Sequence, residues 1–302
     1  MIRAGVIHNP TSRRNREAGA RRADPPGVLT AATRSPDALD GALAAFAAKG
    51  LDLLVIDGGD GTVREVMTRA PSHFGDRLPR FAVLPSGKTN ALALDLGAPM
   101  DWSLEQAIAA AEDGRFTQRA PLEITRHGAP APFVRGFILG AGAYVRATEL
   151  AQRAHHLGLF NNLAVALTLG GAALGALAGG PRSPWRRGSL MRLAEPERGH
   201  EPVFLLFAST LKRLPMGLKP LGEPSAELRL LTVTAPPRQL ARALPPILSG
   251  RFPPWLEAAG YQRQVTSAFD LGLDDRFVLD GETYSGGELR VARGAELGFV
   301  KP

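Results

Sequence analysis

The 302-residue sequence contains no cysteine, which excludes disulfide bonds, thiolate zinc sites and cysteine nucleophiles. Aromatic residues make up only 6% of the chain and are not interleaved with basic residues, so we expect no nucleic-acid partner. The chain also lacks long polar low-complexity tracts. With 44% hydrophobic residues, its composition is typical of a folded protein rather than a disordered or fibrous one.

Lysine is scarce too, since only five of the 36 basic residues are lysines. Against 29 acidic residues the formal net charge is +7, which favours anionic partners such as phosphates or an acidic membrane surface. An arginine-biased composition explains the charge equally well. The first seven residues read as a strand and not as a signal peptide. We therefore expect a cytoplasmic protein, with peripheral contact at the inner face of the membrane left open.

Length and a change of pattern near residue 119 predict two domains. Over 1–119, apolar runs alternate with helical patterns, which predicts an α/β domain with a doubly wound, mostly parallel sheet. Its predicted strands are 2–7, 51–56 and 81–84, and its predicted helices are 37–49, 62–69, 89–96 and 104–113. Over 120–302 we expect a mainly β domain, an antiparallel sandwich with inserted helices, whose last residues could pack back on the first domain. Its predicted strands are 121–126, 133–139, 203–209, 228–234, 277–280 and 288–292, and its predicted helices are 143–154, 159–178 and 239–248.

The helix predicted over 159–178 includes an uncharged stretch, 162–178, with four arginines after it. The stretch is near the lower length limit for a membrane span, and glycines interrupt it. A helix at a lipid-facing cleft and an ordinary core helix are the alternatives to a span, and both are favoured over it.

A glycine-rich segment follows the apolar run 51–56 and precedes a predicted helix. Gly58, Gly59 and Gly61 would let the backbone approach a ligand, and free amides at a helix N-terminus suit phosphate oxygens. Thr62 can cap the helix or bond a phosphate. Asp60 would tolerate nearby phosphates only beside Mg²⁺ or a hydroxyl that it polarises. The alternative is a tight turn without a ligand.

A second polar turn starts the helix predicted over 89–96. It contains Ser86, Gly87, Lys88, Thr89 and Asn90. Lys88 would supply a point charge for a phosphate, and Asn90 would supply a hydrogen-bond donor.

These motifs resemble known kinases. The segment Gly-Gly-Asp-Gly-Thr at 58–62 resembles a signature of diacylglycerol, sphingosine, ceramide and NAD kinases and of phosphofructokinases. The Pro-x-Gly-x-x-Asn pattern at 85–90 narrows the resemblance to the diacylglycerol kinase catalytic-domain family. The segment His-Asn-Pro-Thr-Ser at 8–12 resembles the opening loop of that family. The resemblance implies that Asn9, Thr11, Glu65 and the residues of both polar loops bind the nucleotide.

A third motif, Asp280-Gly281-Glu282, resembles the Asp-Gly-Glu segment of lipid kinases in this family. The resemblance implies that Asp280 is the general base, that Glu282 lies beside it, and that Asp60 helps to organise Mg²⁺ or Asp280 itself. In isolation this sequence would indicate a hairpin turn.

The resemblance implies an ATP- and Mg²⁺-dependent kinase that phosphorylates a lipid alcohol, diacylglycerol-like or sphingoid. Two departures from the family pattern, Arg64 and Ala91, keep a catalytically weak nucleotide- or lipid-binding protein open, and an NAD kinase-like enzyme is the other alternative. Because 221–228 contains no aspartate, we expect the structural metal site of some bacterial relatives to be absent. The oligomeric state is left open.

Overall fold

The computed structural model describes residues 2–18, 25–156, 186–193 and 201–302. The chain forms two compact units: Met1–Pro121 with Ala295–Pro302, and Leu122–Gly294. The helix predicted over 159–178 lies outside the described residues. Among the residues that are described, no helix is long and apolar enough to cross a membrane.

The first unit is a sheet with helices between its strands. Its described strands are β1 (Ala4–His8), β2 (Leu29–Ala32), β3 (Leu53–Gly58), β4 (Arg80–Pro85), β5 (Phe116–Arg119) and β15 (Leu297–Val300). Its described helices are α1 (Arg13–Ala18), α2 (Pro36–Ala48), α3 (Asp60–Phe74), α4 (Ala91–Leu96) and α5 (Leu104–Glu112). The strand order is β2-β1-β3-β4-β15-β5, and only the β15–β5 pair is antiparallel.

The sequence explains the main elements of this unit. Strand β3 is buried along its whole length, as its continuous apolar run predicts for a central parallel strand. Helix α2 begins at Pro36, one residue before its predicted start, because the Ser35 side chain accepts a hydrogen bond from the Ala38 N–H and Pro36 occupies the first turn. Its buried residues Leu39, Leu43 and Phe46 recur at helical spacing.

Two further helices of the first unit start two residues away from their predicted starts. Helix α3 begins at Asp60, two residues before the predicted start, so the glycine-rich segment runs directly into the helix. Helix α4 begins at Ala91, two residues after the predicted start. The cause is Asn90, which precedes α4 in the left-handed conformation with φ 53°. Strand β2 and helix α1 were not predicted, because β2 is short and largely exposed.

The second unit is mainly β. Its described strands are β6 (Leu122–Arg126), β7 (Val134–Gly136), β8 (Ile138–Gly142), β9 (Ser189–Leu193), β10 (Glu201–Ser209), β11 (Leu228–Thr234), β12 (Tyr261–Thr266), β13 (Ala268–Leu279) and β14 (Glu282–Arg293). The described helices are α6 (Ala143–His156), α7 (Leu240–Leu248) and α8 (Trp255–Ala258). The strands form one antiparallel sheet in the order β12-β11-β10-β8-β13-β14-β6-β7, and β9 pairs with β10 and β13.

The predicted fold class, an α/β unit followed by a mainly β unit, is confirmed. In detail, the strand predicted over 133–139 is two strands, β7 and β8, separated at Phe137. The predicted strands 277–280 and 288–292 are parts of a long β13–β14 hairpin. Apolar residues from both strands of this hairpin and from β6, β8, β10 and β11 form the core of the unit.

Candidate functional site

A pocket of about 350 Å³ lies in the first unit, where three strands end. Strand β1 pairs with β2 on one side and β3 on the other, so the chain reverses its direction of winding between β1 and β3. Ligands of open parallel sheets bind beyond the carboxyl ends of the strands at such a switch point. The pocket is lined by Asn9, Thr11 and Ser12 after β1, by Thr33, Arg34 and Ser35 after β2, and by Gly59, Gly61 and Thr62 after β3.

The loop after β1 is hydrogen-bonded to the glycine-rich loop. The Asn9 side-chain oxygen accepts bonds from the Thr11 N–H at 2.9 Å and the Thr11 hydroxyl at 2.7 Å. Its amide nitrogen donates to Thr62 Oγ1 at 2.8 Å. The expectation that Thr62 caps α3 is wrong, because Gly59 is the N-cap residue and no side chain caps this end. All three predicted polar residues border the pocket.

The two glycine-bearing loops touch through their backbones. A Cβ atom on Gly59 would lie 2.8 Å from the Gly87 Cα, and one on Gly87 would lie closer still to the Gly59 Cα. Neither glycine has a positive φ, so close approach and not backbone conformation requires glycine at both positions.

Several residues of the second polar loop that are predicted to bind the nucleotide form hydrogen bonds within the protein. Asn90 is buried; its side-chain oxygen accepts from the Gly87 N–H at 2.7 Å, and its amide nitrogen donates to the Gly87 carbonyl at 3.1 Å. The Ser86 hydroxyl donates to Asp57 at 2.5 Å. Lys88 is exposed and Thr89 is half-buried. Within the first unit, therefore, Ser86 and Asn90 shape the loop, and Lys88 is the residue that points its charge outward from it.

Asp60 connects the glycine-rich loop to α4. Its Oδ1 atom accepts a hydrogen bond from the Ala91 N–H at 2.7 Å. Burial raises the pKa of the Asp60 carboxyl to about 6, although hydrogen bonds from the backbone of Ala91, Leu92 and Asn90 act in the opposite direction. Ala91, where the family pattern has an aspartate, is itself buried and supplies its backbone to this contact.

Glu65 lies at the edge of the pocket within a chain of ion pairs. The buried Arg64 donates to Glu65 Oε1 at 3.2 Å, and Arg69 donates to Glu65 Oε2 at 3.2 Å. Arg69 also donates to Asp40 at 2.6 Å. A hydrogen bond with His73 is the main reason why the pKa of Asp40 is lowered. Arg64 therefore fixes Glu65 at the pocket wall.

Asp280 and Gly281 form the turn of the β13–β14 hairpin in the second unit. Both have positive φ, 46° and 82°, as a two-residue type I′ turn requires. The Asp280 oxygens accept hydrogen bonds from the N–H groups of Phe137 and Ile138, each at 2.9 Å. A Cβ atom on Gly136 would lie 2.5 Å from Asp280 Oδ2. Gly136 is thus needed for Asp280 to reach these amides, while Glu282 beside it is exposed.

The sequence analysis missed the residues after β2 that line the pocket: Thr33, Arg34 and Ser35. Their strand was not predicted, and a serine followed by a proline before a helical pattern indicates a helix start rather than a ligand site. It also missed Asp57, whose carboxylate is buried among polar partners at the end of β3.

A glycine-rich loop that leads from a buried parallel strand into a helix, with hydroxyl and amide side chains around a pocket, is typical of α/β proteins that bind phosphorylated ligands. Residues 3–122 match the family model of the diacylglycerol kinase catalytic domain. The resemblance seen in the motifs is confirmed, and the match lies almost entirely within the first unit.

Solved structures share the fold. A candidate diacylglycerol kinase from Bacillus anthracis str. Sterne superposes with a TM-score of 0.70 and 13% identity, covering 99% of this chain and 95% of its own. A second structure from that organism, named as a diacylglycerol kinase, gives a TM-score of 0.63 and 11% identity, covering 99% of this chain and 97% of its own. No match is found among curated proteins.

Proposed function

We propose that this protein is a lipid kinase that transfers the γ-phosphate of ATP to the hydroxyl group of a lipid alcohol. The observation that carries the proposal is the pocket at the β1–β3 switch point, bordered by Gly59, Gly61 and Thr62 within a unit that matches a lipid kinase domain.

The residues of the pocket fit the phosphates of a nucleotide. Its volume of about 350 Å³ is at the lower end of the usual range for small-molecule sites. Gly59 and Gly61 present backbone without side chains, and Asn9, Thr11 and Thr62 present polar groups. Lys88 is an exposed cation on the neighbouring loop. Together they offer the amides, hydroxyls and positive charge that polyphosphates require.

The same residues fit Mg²⁺ only as an ion that arrives with the nucleotide. No cluster of three or more acidic, histidine or cysteine side chains occurs in the described parts of the chain. Mg²⁺ is commonly held by one or two carboxylates together with substrate phosphates and water. Asp60 is the candidate protein ligand, since Glu65 is engaged by Arg64 and Arg69. The ion would neutralise charge on the phosphates.

We assign the proton transfer to Asp280. As the lipid hydroxyl oxygen bonds to the γ-phosphorus, the bond from that phosphorus to the bridging oxygen of ADP breaks, and the hydroxyl proton passes to the Asp280 carboxylate. The bonds from Phe137 and Ile138 hold this carboxylate in one orientation, which suits a base that must meet its proton at a fixed place. Glu282 is the adjacent carboxylate.

We further propose that the protein works at an anionic membrane surface while remaining cytoplasmic. The net charge of +7 supports this, as does the connection between β10 and β11. There Met216 is 61% exposed on a backbone with φ 62°, and Lys212, Arg213 and Lys219 lie near it in sequence and are exposed. An exposed apolar side chain among cations is suited to the interface of an anionic bilayer.

The experiment is phosphate transfer from labelled ATP with Mg²⁺ to a panel of lipid alcohols and to NAD, followed by separation of the products. Label in one lipid, lost in Asp280→Asn, would establish the kinase and name its substrate. Label in NAD would replace it with an NAD kinase. Nucleotide binding without any labelled product would favour a binding protein, a reading that the internal hydrogen bonds of Asp60 and Asp280 motivate.

A further inference from the structure

Asp57 is a buried carboxylate at the end of β3, directly before the glycine-rich loop, and it lies outside the pocket lining. Its Oδ1 atom accepts hydrogen bonds from the Ser86 hydroxyl at 2.5 Å and the Asn15 amide at 3.2 Å. Its Oδ2 atom is hydrogen-bonded to His8 Nδ1 at 2.6 Å. One carboxylate thus binds three side chains from three other segments.

These partners lie beside the loop after β1, which lines the pocket, and in the second polar loop, which touches the glycine-rich loop. His8 ends β1 and precedes the loop with Asn9 and Thr11, and Ser86 begins the second polar loop. Asn15, on α1, also donates to the Asn9 carbonyl at 2.8 Å.

Backbone bonds reinforce the same junction. The Asn9 N–H donates to the Asp57 carbonyl at 3.0 Å, and the Arg14 N–H donates to the Ser86 carbonyl at 3.0 Å. Polar contacts of the loop after β1 and of the second polar loop therefore converge on Asp57, which directly precedes the glycine-rich loop.

A second aspartate makes a comparable contact at the other end of β3. Asp52 precedes β3 at its other end, where its carboxylate accepts three hydrogen bonds from Arg3, at 3.0 to 3.2 Å. Both aspartates therefore join β3 to the segment that contains β1. They differ in that Asp52 borders none of these loops, whereas Asp57 directly precedes the glycine-rich loop and is hydrogen-bonded to Asn9 and Ser86 of the other two.

We propose that Asp57 is a positioning residue for nucleotide binding: through His8, Asn15 and Ser86 it holds the three loops in the arrangement that accepts the phosphates. Polyphosphate recognition by backbone amides depends on loops that are ordered before the ligand arrives. This inference rests on the proposed function only for the identity of the ligand. The role of Asp57 in ordering the loops is a property of the chain itself.

The chemistry of the contact distinguishes two variants. Asp57→Ala removes both carboxylate oxygens, so His8, Asn15 and Ser86 each lose a hydrogen bond. Asp57→Asn keeps one oxygen for Ser86 and Asn15, and its NH₂ group can donate to His8 Nδ1 if the ring carries its proton on Nε2. The asparagine variant is therefore the conservative replacement, and Asp52→Ala is the control at the other end of the same strand, where the aspartate is exposed.

The test combines hydrogen exchange of the full chain with titration of the wild type and the three variants by MgATP. In Asp57→Ala we expect faster amide exchange in all three loops, 9–12, 58–62 and 86–90, and nucleotide binding weaker by on the order of tenfold or more. Asp57→Asn should restore most of both properties. Asp52→Ala should leave the exchange of the three loops and the affinity unchanged.

Three results would overturn the inference: faster exchange confined to 58–62, equal effects of Asp52→Ala and Asp57→Ala, or unchanged affinity in Asp57→Ala. A wild type that binds no nucleotide would instead refute the proposed ATP use. The exchange pattern would then decide alone whether Asp57 orders the three loops.

Discussion

The Asp60 carboxylate accepts a hydrogen bond from the backbone N–H of Ala91 at 2.7 Å. From the motifs alone, Asp60 is a candidate metal ligand, and Ala91 is a position where the family pattern has an aspartate. In the structure they form one contact between the glycine-rich loop and the first turn of α4. The carboxylate of Asp60 thus satisfies a helix N-terminus, which otherwise leaves N–H groups without intrahelical partners.

The burial of the Asp60 carboxyl predicts a pH-dependent stability. The pKa of Asp60 is raised from 3.8 to about 6, so the folded state favours the protonated form. The contribution to stability is therefore fully present below pH 4 and is lost as the pH rises through 6. Relative to Asp60→Asn, which cannot ionise, the wild type should lose about 2 kcal/mol of unfolding free energy between pH 4 and pH 7. Urea denaturation of both proteins across this range measures it. A constant difference between them would contradict the assignment.

Because Gly59 and Gly87 are in contact, we predict that adding one methyl group to either residue forces the two loops apart. Gly59→Ala and Gly87→Ala should each lower the free energy of unfolding by about 1–3 kcal/mol, because the added Cβ would meet backbone that has no room to move. Gly61→Ala is the control, since a Cβ there would meet nothing closer than 3.9 Å and alanine is favourable within α3. Thermal unfolding of the three variants tests this. Equal melting temperatures would show that the loops do not need the close approach.

The close approach of Gly136 to Asp280 predicts that turnover depends on Gly136, although glycine has no side chain that could transfer a proton. Gly136→Ala leaves the carboxylate intact but places a methyl group against Asp280 Oδ2, so turnover should fall strongly. Asp280→Asn should also reduce turnover, and it leaves one of the Phe137 and Ile138 amides facing an NH₂ group, at a cost of about 1–3 kcal/mol. Steady-state kinetics and thermal melts of both variants separate the two effects. Full turnover in Gly136→Ala would show that turnover does not depend on the observed orientation of the Asp280 carboxylate.

The buried ion pair between Asp95 on α4 and Arg119 on β5 predicts a large stability effect. Asp95 is fully enclosed, so Asp95→Ala would leave the Arg119 guanidinium without its charge partner and should cost about 3–5 kcal/mol. The double variant with Asp95→Leu and Arg119→Met should recover most of this loss, because it buries no charge. Urea denaturation provides both values. A double variant no more stable than Asp95→Ala would contradict the account.

Much of the fold could be predicted from the sequence, because the strongest signals are local. The apolar run of β3 and the Ser35 cap of α2 each indicate their element without reference to the rest of the chain. Strand β2 could not be found in this way. Its residues are mostly exposed, and it is a strand because the paired β1 supplies its hydrogen bonds.

In the candidate site, too, the local motifs could be predicted from the sequence and the contacts between distant residues could not. Glycines and hydroxyl residues of the loops were visible as motifs, and Asn9, Thr11, Gly59, Gly61 and Thr62 do border one pocket. Their nucleotide-binding roles stay predictions, as do the catalytic roles of Asp280, Glu282 and Asp60. The sequence could not reveal that Ser86 bonds to Asp57, or that Asp280 bonds to Phe137 and Ile138. Each of these contacts joins residues far apart in the chain, so only the folded topology brings them together.

The last strand, β15, lies between β4 and β5 in the sheet of the first unit, although the whole second unit separates it from them in sequence. During synthesis, β1 to β5 therefore emerge well before the strand that joins β4 to β5. The second unit is continuous in sequence and can fold while the first sheet still has a gap. The sheet of the first unit is therefore complete only once β15 has been made, and deletion of β15 would divide that sheet in two.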